Sequence, residues 1–396
     1  MTDYLTEARE LDLVAWRRDL HRHPELGFQE VRTAGIVARH LHELGLEVQT
    51  GVAKTGVVGV LDGTAPQRAG GSGKKPVVML RFDMDALPIT EENTTDYASE
   101  TPGAMHACGH DGHVAMGIGV ARLLARHRNE LCGSVKLVFQ PAEEGLGGAE
   151  KMIQEGVMLN PRPDVTLAIH IFSQLPSGQV SAGEGPVMAT AERFHCTVAG
   201  RGGHGATPHQ TVDAIVVAAQ IVTALQTVVS RNVDPQQPAV VSVGSLHAGT
   251  AFNIIAERAE LWGTIRTFDA GTRETVVRRV REVIEGTART MGGSAELDIQ
   301  ELTGAVVNDA GAAARVRHAA ARVVGADNVT AQQRWMASDD MSCFMQEVGG
   351  CYFFIGGARS ASEFPHHNPH FDFDEAVLPQ GAAILCETVA SYLHDA

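Results

Sequence analysis

The chain has 396 residues, of which 44% are hydrophobic and 20% are charged, and its formal net charge is −15. A single hydrophobic core stops growing at roughly 250–300 residues, so this length predicts two domains. The acidic balance excludes nucleic acid and membrane as expected partners, and no stretch approaches the ~20 continuous apolar residues of a membrane span. The N-terminus lacks the pattern of a secretory signal, so we expect a cytoplasmic location.

The first part of the chain alternates short apolar runs with helical stretches. Strands are predicted at 56–61, 77–80, 135–139 and 165–171, and helices at 30–44, 112–126 and 148–155. A Gly/Ser/Pro/Lys-rich stretch from Gly63 to Pro76 predicts an exposed loop. Buried strands that alternate with helices are typical of a mostly parallel α/β sheet.

Around Pro186 the pattern changes to a second kind of unit. Strands are predicted at 193–199, 239–246, 256–268 and 295–301, with helices at 212–229 and 273–291. The resulting order, β-α-β-β-α-β, is that of the ferredoxin-like unit. We therefore predict an inserted α+β ferredoxin-like domain over 188–303. Residues 1–187 and 304–396 would form the α/β catalytic domain with a mostly parallel sheet.

Five short segments are dense in side chains that bind metal ions. They are RFDMD (81–85), HACGHDGH (106–113), QPAEEG (140–145), AIH (168–170) and HHNPHF (366–371). Each follows or lies close to a predicted strand end, which is where sites form in parallel α/β sheets. Thiolate, imidazole and carboxylate together suit zinc or a related divalent metal. The six cysteines form no CxxC pair, so we expect one special thiol rather than disulfides.

These segments, in this order and with an inserted domain, resemble the aminoacylase/carboxypeptidase superfamily of dinuclear metallohydrolases. More narrowly, they resemble its branch of indole-acetyl-amino-acid hydrolases, hippurate hydrolases and N-acyl-amino-acid amidohydrolases. The resemblance implies two divalent ions per subunit, either zinc or manganese, nickel or cobalt. The ligands that it implies are Cys108, His110, Glu144, His170 and His367, with Cys108 as a bridging thiolate. The broader superfamily has an aspartate bridge and a histidine in the Asp83 position, which this branch replaces with Cys108 and His110.

The resemblance also implies the catalytic roles. Glu143 would be the general base, and Asp85 would orient a ligand or tune the metal. A bound metal lowers the pKa of water from about 16 to about 7, so hydroxide becomes available at neutral pH. Glu143 would take the proton of that water and deliver one to the leaving amine. Glu143 and Glu144 are expected in extended chain, where consecutive side chains point in opposite directions, so one can bind metal while the other reaches the water.

Substrate recognition is expected in the inserted domain. By resemblance, His204, Asn253 and Arg266 stabilise the oxyanion and hold the substrate carboxylate, and His204 therefore also counts as catalytic. Arginine suits this task because its fork binds a carboxylate bidentately. The family often dimerises through this domain. We therefore expect a homodimer or a higher homo-oligomer, with His204 a candidate residue of the partner subunit's site.

The predicted function is hydrolysis of the amide bond of an N-acyl amino acid, with hippurate or N-acetyl amino acids as model substrates. Three alternatives remain: a metallo-dipeptidase or carboxypeptidase of the same fold, a thiol hydrolase with Cys108 as nucleophile, and a non-catalytic binding protein. Glu143 argues against the last, because folding alone would not demand it. We expect His106 and His113 to support the ligands rather than bind metal, and Ser338, Asp339 and Asp340 to cap the helix that follows.

Overall fold

The computed structural model describes residues 2–67, 75–331, 334–360 and 364–394. Residues 68–74 of the predicted Gly63–Pro76 loop lie outside these described residues. Within them, the helices are α1 (Tyr4–Arg9), α2 (Leu13–Arg22), α3 (Val31–Glu43), α4 (His110–Arg126), α5 (Gly148–Gln154), α6 (Ala214–Asn232), α7 (Ala270–Thr290), α8 (Ala310–Val324), α9 (Met341–Glu347) and α10 (Val377–Leu393).

The strands of the described residues are β1 (Glu47–Val52), β2 (Gly56–Asp62), β3 (Val77–Asp83), β4 (Ser134–Gln140), β5 (Val165–Pro176), β6 (Val180–Ser181), β7 (Gly185–Met188), β8 (Ala191–Ala199), β9 (Gly203–His204), β10 (Ala239–Ala248), β11 (Ile254–Ile255), β12 (Arg258–Thr267), β13 (Ser294–Thr303), β14 (Val306–Asn308), β15 (Val329–Thr330) and β16 (Gly350–Ala358). They belong to two compact units. The first unit comprises the described residues of Met1–Gly185, Val307–Gln333 and Asp340–Ala396, and the second comprises those of Pro186–Val306 and Arg334–Asp339.

The first unit is built on an eight-stranded sheet with the order β1-β2-β4-β3-β5-β16-β6-β15. Its four central strands, β4, β3, β5 and β16, run parallel to one another. All seven residues of β3 are buried, which is typical of a strand covered on both faces. The predicted α/β fold with a mostly parallel sheet is therefore confirmed.

Helix α4 packs closely on this sheet and carries the predicted ligand His110 and the predicted supporting residue His113. A Cβ atom on Gly117 would lie 2.7 Å from the Phe139 ring and 2.8 Å from the Phe82 ring. The glycine is therefore required at the point where the helix crosses β3 and β4. This close packing fixes the first turn of α4, which begins at His110, against the end of the sheet.

The second unit has a four-stranded antiparallel sheet with the order β10-β12-β8-β13. Its elements follow the predicted ferredoxin-like order β8-α6-β10-β12-α7-β13. Among the described residues, α6 is the one helix that is long and apolar enough to cross a membrane, judged by length and composition alone. However, Val217, Ile221 and Leu225 on one face of α6 belong to the hydrophobic core of this unit. The helix thus has the packing of a core helix in a globular unit.

Candidate metal centre

The metal-ligand segments meet where the parallel strands of the first unit end. Asp83, the last residue of β3, lies opposite Gln140, the last residue of β4. The register of β3 with β5 pairs Arg81 with Ala168, which places His170 level with Asp83. Because parallel strands present their carboxyl ends at one edge, the loops that follow them converge there. The structure thus brings together segments that are far apart in the sequence.

Cys108 and His170 face each other at this edge. The Cys108 Sγ atom lies 3.6 Å from His170 Nε2. The other ring nitrogen of His170, Nδ1, donates to the backbone oxygen of Ile171 at 2.6 Å. Burial lowers the pKa of His170 well below its ordinary value, so the imidazole is neutral and Nε2 carries a lone pair. This nitrogen is therefore prepared to bind a cation beside the sulfur.

His110 also turns one ring nitrogen toward the centre. Its Nδ1 donates to the backbone oxygen of Asp85 at 2.9 Å. Its Nε2 is buried without a hydrogen bond from the described residues, 3.7 Å from a carboxylate oxygen of Asp83 and 4.0 Å from one of Glu144. Burial disfavours a charged ring, but the surrounding carboxylates, Asp83 first, outweigh it and raise the His110 pKa to about 10. This excess of negative charge is what a bound cation would balance.

Glu143 and Glu144 lie in a turn rather than in extended chain, so the sequence-based argument from opposed side chains was wrong. The backbone N–H groups of both residues donate to the carboxylate of Asp85, each at 3.0 Å. Ala142, just before them, has a left-handed φ of 56°. A carboxylate oxygen of each glutamate lies within 4.8 Å of a His110 ring nitrogen. Both side chains therefore reach the same centre.

His367 comes to the centre from the C-terminal part of the chain. Its backbone is left-handed, with φ 64°, and its N–H donates to the Ala107 oxygen at 2.8 Å. Its Nε2 lies 3.3 Å from Glu144 Oε1, and this nearby carboxylate raises the His367 pKa. The neighbouring His366 instead accepts from the Ser173 N–H through Nε2. Of the two histidines, His367 is the one placed beside Cys108 and Glu144.

The residues present fit divalent cations. Five sets of side chains in the described residues have ligand atoms within 4.8 Å of one another, and three of them consist of residues predicted as metal ligands or general base. These three are Cys108 with His110 and His170, Cys108 with Glu144 and His367, and His110 with Glu143 and Glu144. Cys108 and His110 each belong to two of these sets, but Nδ1 of His110 is already hydrogen-bonded to the Asp85 oxygen, so the sulfur is the atom better suited to bridge two ions. Burial, followed by the charges of Glu144 and Glu143, raises the Cys108 pKa well above its ordinary value. The protein groups alone therefore keep the thiol protonated, and a thiolate requires cations nearby.

His113 lies behind the candidate ligands and contacts the groups around them. Its Nδ1 donates to Asp83 Oδ1 at 2.6 Å, and its Nε2 accepts from the Ile171 N–H at 2.9 Å. Both ring nitrogens are thus engaged by protein groups. Burial alone would raise the pKa of Asp83, but the charges of His110, Arg81 and His113 hold it well below its usual value. Asp83 therefore stays ionised and balances the buried Arg81.

Asp340 plays a different part from the helix cap predicted for it. It stands at the N-cap position of α9, but its side chain makes no capping hydrogen bond. Its carboxylate accepts instead from Arg81 Nη2 at 3.1 Å, from Gln140 Nε2 at 2.7 and 2.9 Å, and from the Ala149 N–H at 2.9 Å. It thus links β3, β4 and the start of α5. The only local signal for this network was the pair of polar residues, Arg81 and Gln140, inside apolar strands.

A second buried network was also missed from the sequence. Arg17 in α2 is fully buried and donates to Asp111 at 2.7 Å, Asp372 at 2.9 Å and Glu375 at 3.2 Å. Asp111 directly follows His110, and Asp372 closes the segment that contains His367. This one guanidinium therefore ties both histidine segments to the N-terminal part of the chain.

The second unit places two of its three predicted site residues side by side. His204 in β9 pairs with Ile254 in β11, so that Asn253 lies next to the histidine, and the Gly205 N–H donates to the Asn253 oxygen at 2.9 Å. Arg266 lies in β12, half-buried, and donates to the Thr264 hydroxyl and to the Ile265 oxygen. The contact of these residues with a substrate stays a prediction.

Comparisons with known proteins agree with this geometry. The sequence matches the peptidase family M20/M25/M40 over residues 79–391. It is 46% identical over 293 residues to the N-acyl-L-amino acid amidohydrolase of Geobacillus stearothermophilus, covering 74% of this chain and 76% of that protein. It is 38% identical over 384 residues to thermostable carboxypeptidase 1 of Saccharolobus solfataricus, covering 95% and 94%.

Among solved structures, a Bacillus subtilis protein described as a dinuclear metal binding peptidase of the M20 family is similar, with a TM-score of 0.83 and 33% identity over 99% of each chain. Sequence, fold and site geometry therefore agree with the resemblance inferred from the five motifs. The chain belongs to the peptidase family M20/M25/M40.

Proposed function

We propose that this chain hydrolyses the amide bond of an N-acyl amino acid, with Glu143 as the general base. The observation that carries the proposal is the single turn that places the carboxylates of Glu143 and Glu144 beside the His110 ring nitrogen. An amidohydrolase needs a proton acceptor next to its metal ligands, and this turn supplies both. The relative with 46% identity is named for this activity. The carboxypeptidase relative supports the second candidate, cleavage of a C-terminal peptide bond.

The proposed mechanism assigns a task to each side chain of the centre. Cys108, His110, Glu144, His170 and His367 would hold two divalent ions, either zinc or manganese, nickel or cobalt. When bound, such ions lower the pKa of a water molecule and polarise the substrate carbonyl. Glu143 takes a proton from the attacking water on a carboxylate oxygen and passes it to the nitrogen of the leaving amine. Asp85 fixes the backbone of Glu143 and Glu144, so base and ligand keep a constant separation.

The second unit has the proposed task of binding the substrate and a second copy of the chain. Residues 188–303 would provide His204 and Asn253 for the oxyanion and Arg266 for the substrate carboxylate. Exposed apolar side chains support a homodimer formed through this unit, among them Phe252 and Val216. A cytoplasmic location, where thiols stay reduced, fits the six free cysteines.

Replacing Arg266 with alanine is expected to raise KM by about 10- to 100-fold for substrates with a free carboxylate, since hydrogen bonds to charged groups contribute about 1.5–3 kcal/mol. The matching amide, which lacks the carboxylate charge, should show little change. Steady-state kinetics on both substrates measure the effect, with Arg258→Ala, an exposed arginine of the same strand, as control. Equal losses on the acid and the amide would remove this assignment.

A substrate panel tests the proposed function. Protein loaded with each of the four metals is assayed on N-acetyl, benzoyl and indole-acetyl amino acids. Dipeptides with the same C-terminal residue and a free amino group form the comparison set. We expect the highest kcat/KM on the N-acyl compounds. Cleavage confined to the dipeptides, or to longer peptides, would replace the proposal with the peptidase alternative.

A further inference from the structure

Three consecutive backbone N–H groups of the turn after β4 are each held by a buried carboxylate. Asp85 accepts from the second and third, at Glu143 and Glu144. The first belongs to Ala142 and donates at 2.9 Å to Oε1 of Glu30, which is fully buried. The other oxygen of Glu30 accepts from the Thr55 hydroxyl at 2.5 Å. Glu30 comes from the N-terminal segment, which has no part in the proposed chemistry.

The hydrogen bond from the Ala142 N–H lies at the residue of the turn that has an unfavourable backbone conformation. Ala142 has a left-handed φ of 56°, a conformation that a residue with a Cβ atom rarely adopts unless its surroundings impose it. It is fully buried, and no glycine stands here to make the turn easy. A hydrogen bond to its N–H is one of the few contacts that can hold this backbone in place.

The segment around Glu30 is itself fixed to both sides of the site. A Cβ atom on Gly27 would lie 3.1 Å from the Ala142 Cβ, so the two backbones are packed closely. The Ala86 N–H donates at 2.8 Å to the Glu25 oxygen, which ties this segment to the residue after Asp85. The segment that carries Glu30 therefore contacts both the turn at Ala142 and the residue that follows Asp85.

We propose that Glu30 is a positioning residue for the general base, acting through the Ala142 N–H. This inference rests on the proposed role of Glu143. With Asp85 alone, two of the three N–H groups stay anchored, but the turn can pivot about Glu143. A displacement of about 1 Å at a reacting group can lower the rate by about 100-fold. Glu144 lies on the same turn, so the loss of Glu30 should also weaken metal binding.

Two substitutions at Glu30 separate its hydrogen bond from its charge. Glu30→Asp keeps the charge but withdraws the carboxylate by one methylene, and we expect kcat to fall about 30-fold with KM nearly unchanged. Glu30→Gln keeps the length and a carbonyl oxygen for the Ala142 N–H, so kcat should stay within about threefold. Thr55→Val removes the other hydrogen bond of Glu30 without touching Ala142 and should also preserve kcat. Circular dichroism and Tm verify that each variant folds.

A second readout needs no turnover. Apo-protein titrated with Co²⁺ and followed by its thiolate absorption band should bind about tenfold more weakly in Glu30→Asp than in wild type or Glu30→Gln. Wild-type kcat and Co²⁺ affinity in a folded Glu30→Asp variant, or equal losses in Asp and Gln, would overturn the inference.

If Glu30→Asp does not fold, the double variant Glu30→Asp/Ala142→Gly provides the test, because glycine adopts the left-handed backbone at 142 without strain and so stabilises the turn. Its kcat and Co²⁺ affinity should lie below those of Ala142→Gly alone, and equal values in the two variants would overturn the inference. Failure of the proposed function looks different, because wild-type protein would then leave N-acyl amino acids intact while the Co²⁺ comparison still decides the role of Glu30.

Discussion

Glu143→Gln is expected to lower kcat by about 10³-fold, within the range that a positioned acid–base group contributes. The amide keeps the size of the side chain and can still form hydrogen bonds, but it cannot take a proton from water. The Glu143 N–H still donates to Asp85, so the turn and the Glu144 carboxylate should stay in place. Metal content, measured by mass spectrometry on the dialysed protein, should therefore match that of wild type.

The matched control is Glu150→Gln, which makes the same chemical change at an exposed residue of the neighbouring helix α5. It should leave kcat and metal content unaltered. Substantial residual hydrolysis by Glu143→Gln, with the ions still bound, would show that another group moves the proton. Loss of the metal together with the activity would instead make Glu143 a ligand.

The second large effect concerns Cys108, whose sulfur is shared by two ligand sets. Cys108→Ala should lose metal affinity and lower kcat by more than about 100-fold, because the position proposed to bridge the ions then lacks a donor atom. Cys108→Asp restores an anionic ligand of the kind that bridges the ions in the broader superfamily. With added metal, we expect the kcat of Cys108→Asp to be at least about tenfold higher than that of Cys108→Ala.

This pair of variants also tests the thiol-hydrolase alternative. An aspartate can replace the thiolate as an anionic metal ligand, but it cannot replace it as the nucleophile that attacks an amide. Kinetics and Co²⁺ titration are compared with those of Cys132→Ala, a buried cysteine outside the ligand sets. If Cys108→Asp binds the ions but remains as inactive as Cys108→Ala, the thiol itself carries the reaction.

Much of the fold could be predicted because local patterns report it directly. The apolar runs of β3 and β4 and the alternation in β8 gave their positions, and the β-α-β-β-α-β order of the second unit was confirmed. The pairing of strands was less accessible. In the eight-stranded sheet β4 lies between β2 and β3, with β2 antiparallel to it. Such pairing depends on long-range packing, which periodicity within one strand does not encode.

In the candidate site, too, some residues could be predicted from the sequence and others could not. The ligand segments were visible because His, Cys and Glu are concentrated in short motifs. Their supports were not visible, because each joins residues far apart in the sequence. Arg17 and Asp372 are 355 positions apart, and Glu30 and Ala142 are 112 apart. The turn at Glu143 was mistaken for extended chain because its left-handed residue is an alanine, whereas glycine or asparagine is the usual signal.

The central claim is that side chains from five separate segments hold divalent ions without which no hydrolysis occurs. Its most direct test removes the ions with a chelator, verifies the apo-protein by metal analysis, and follows hydrolysis of an N-acyl amino acid as a divalent metal is added back. We expect the apo-protein to be inactive and its activity to return with metal, reaching a plateau near two ions per chain, as in the dinuclear relative. Full activity in protein shown to be free of metal would contradict the account.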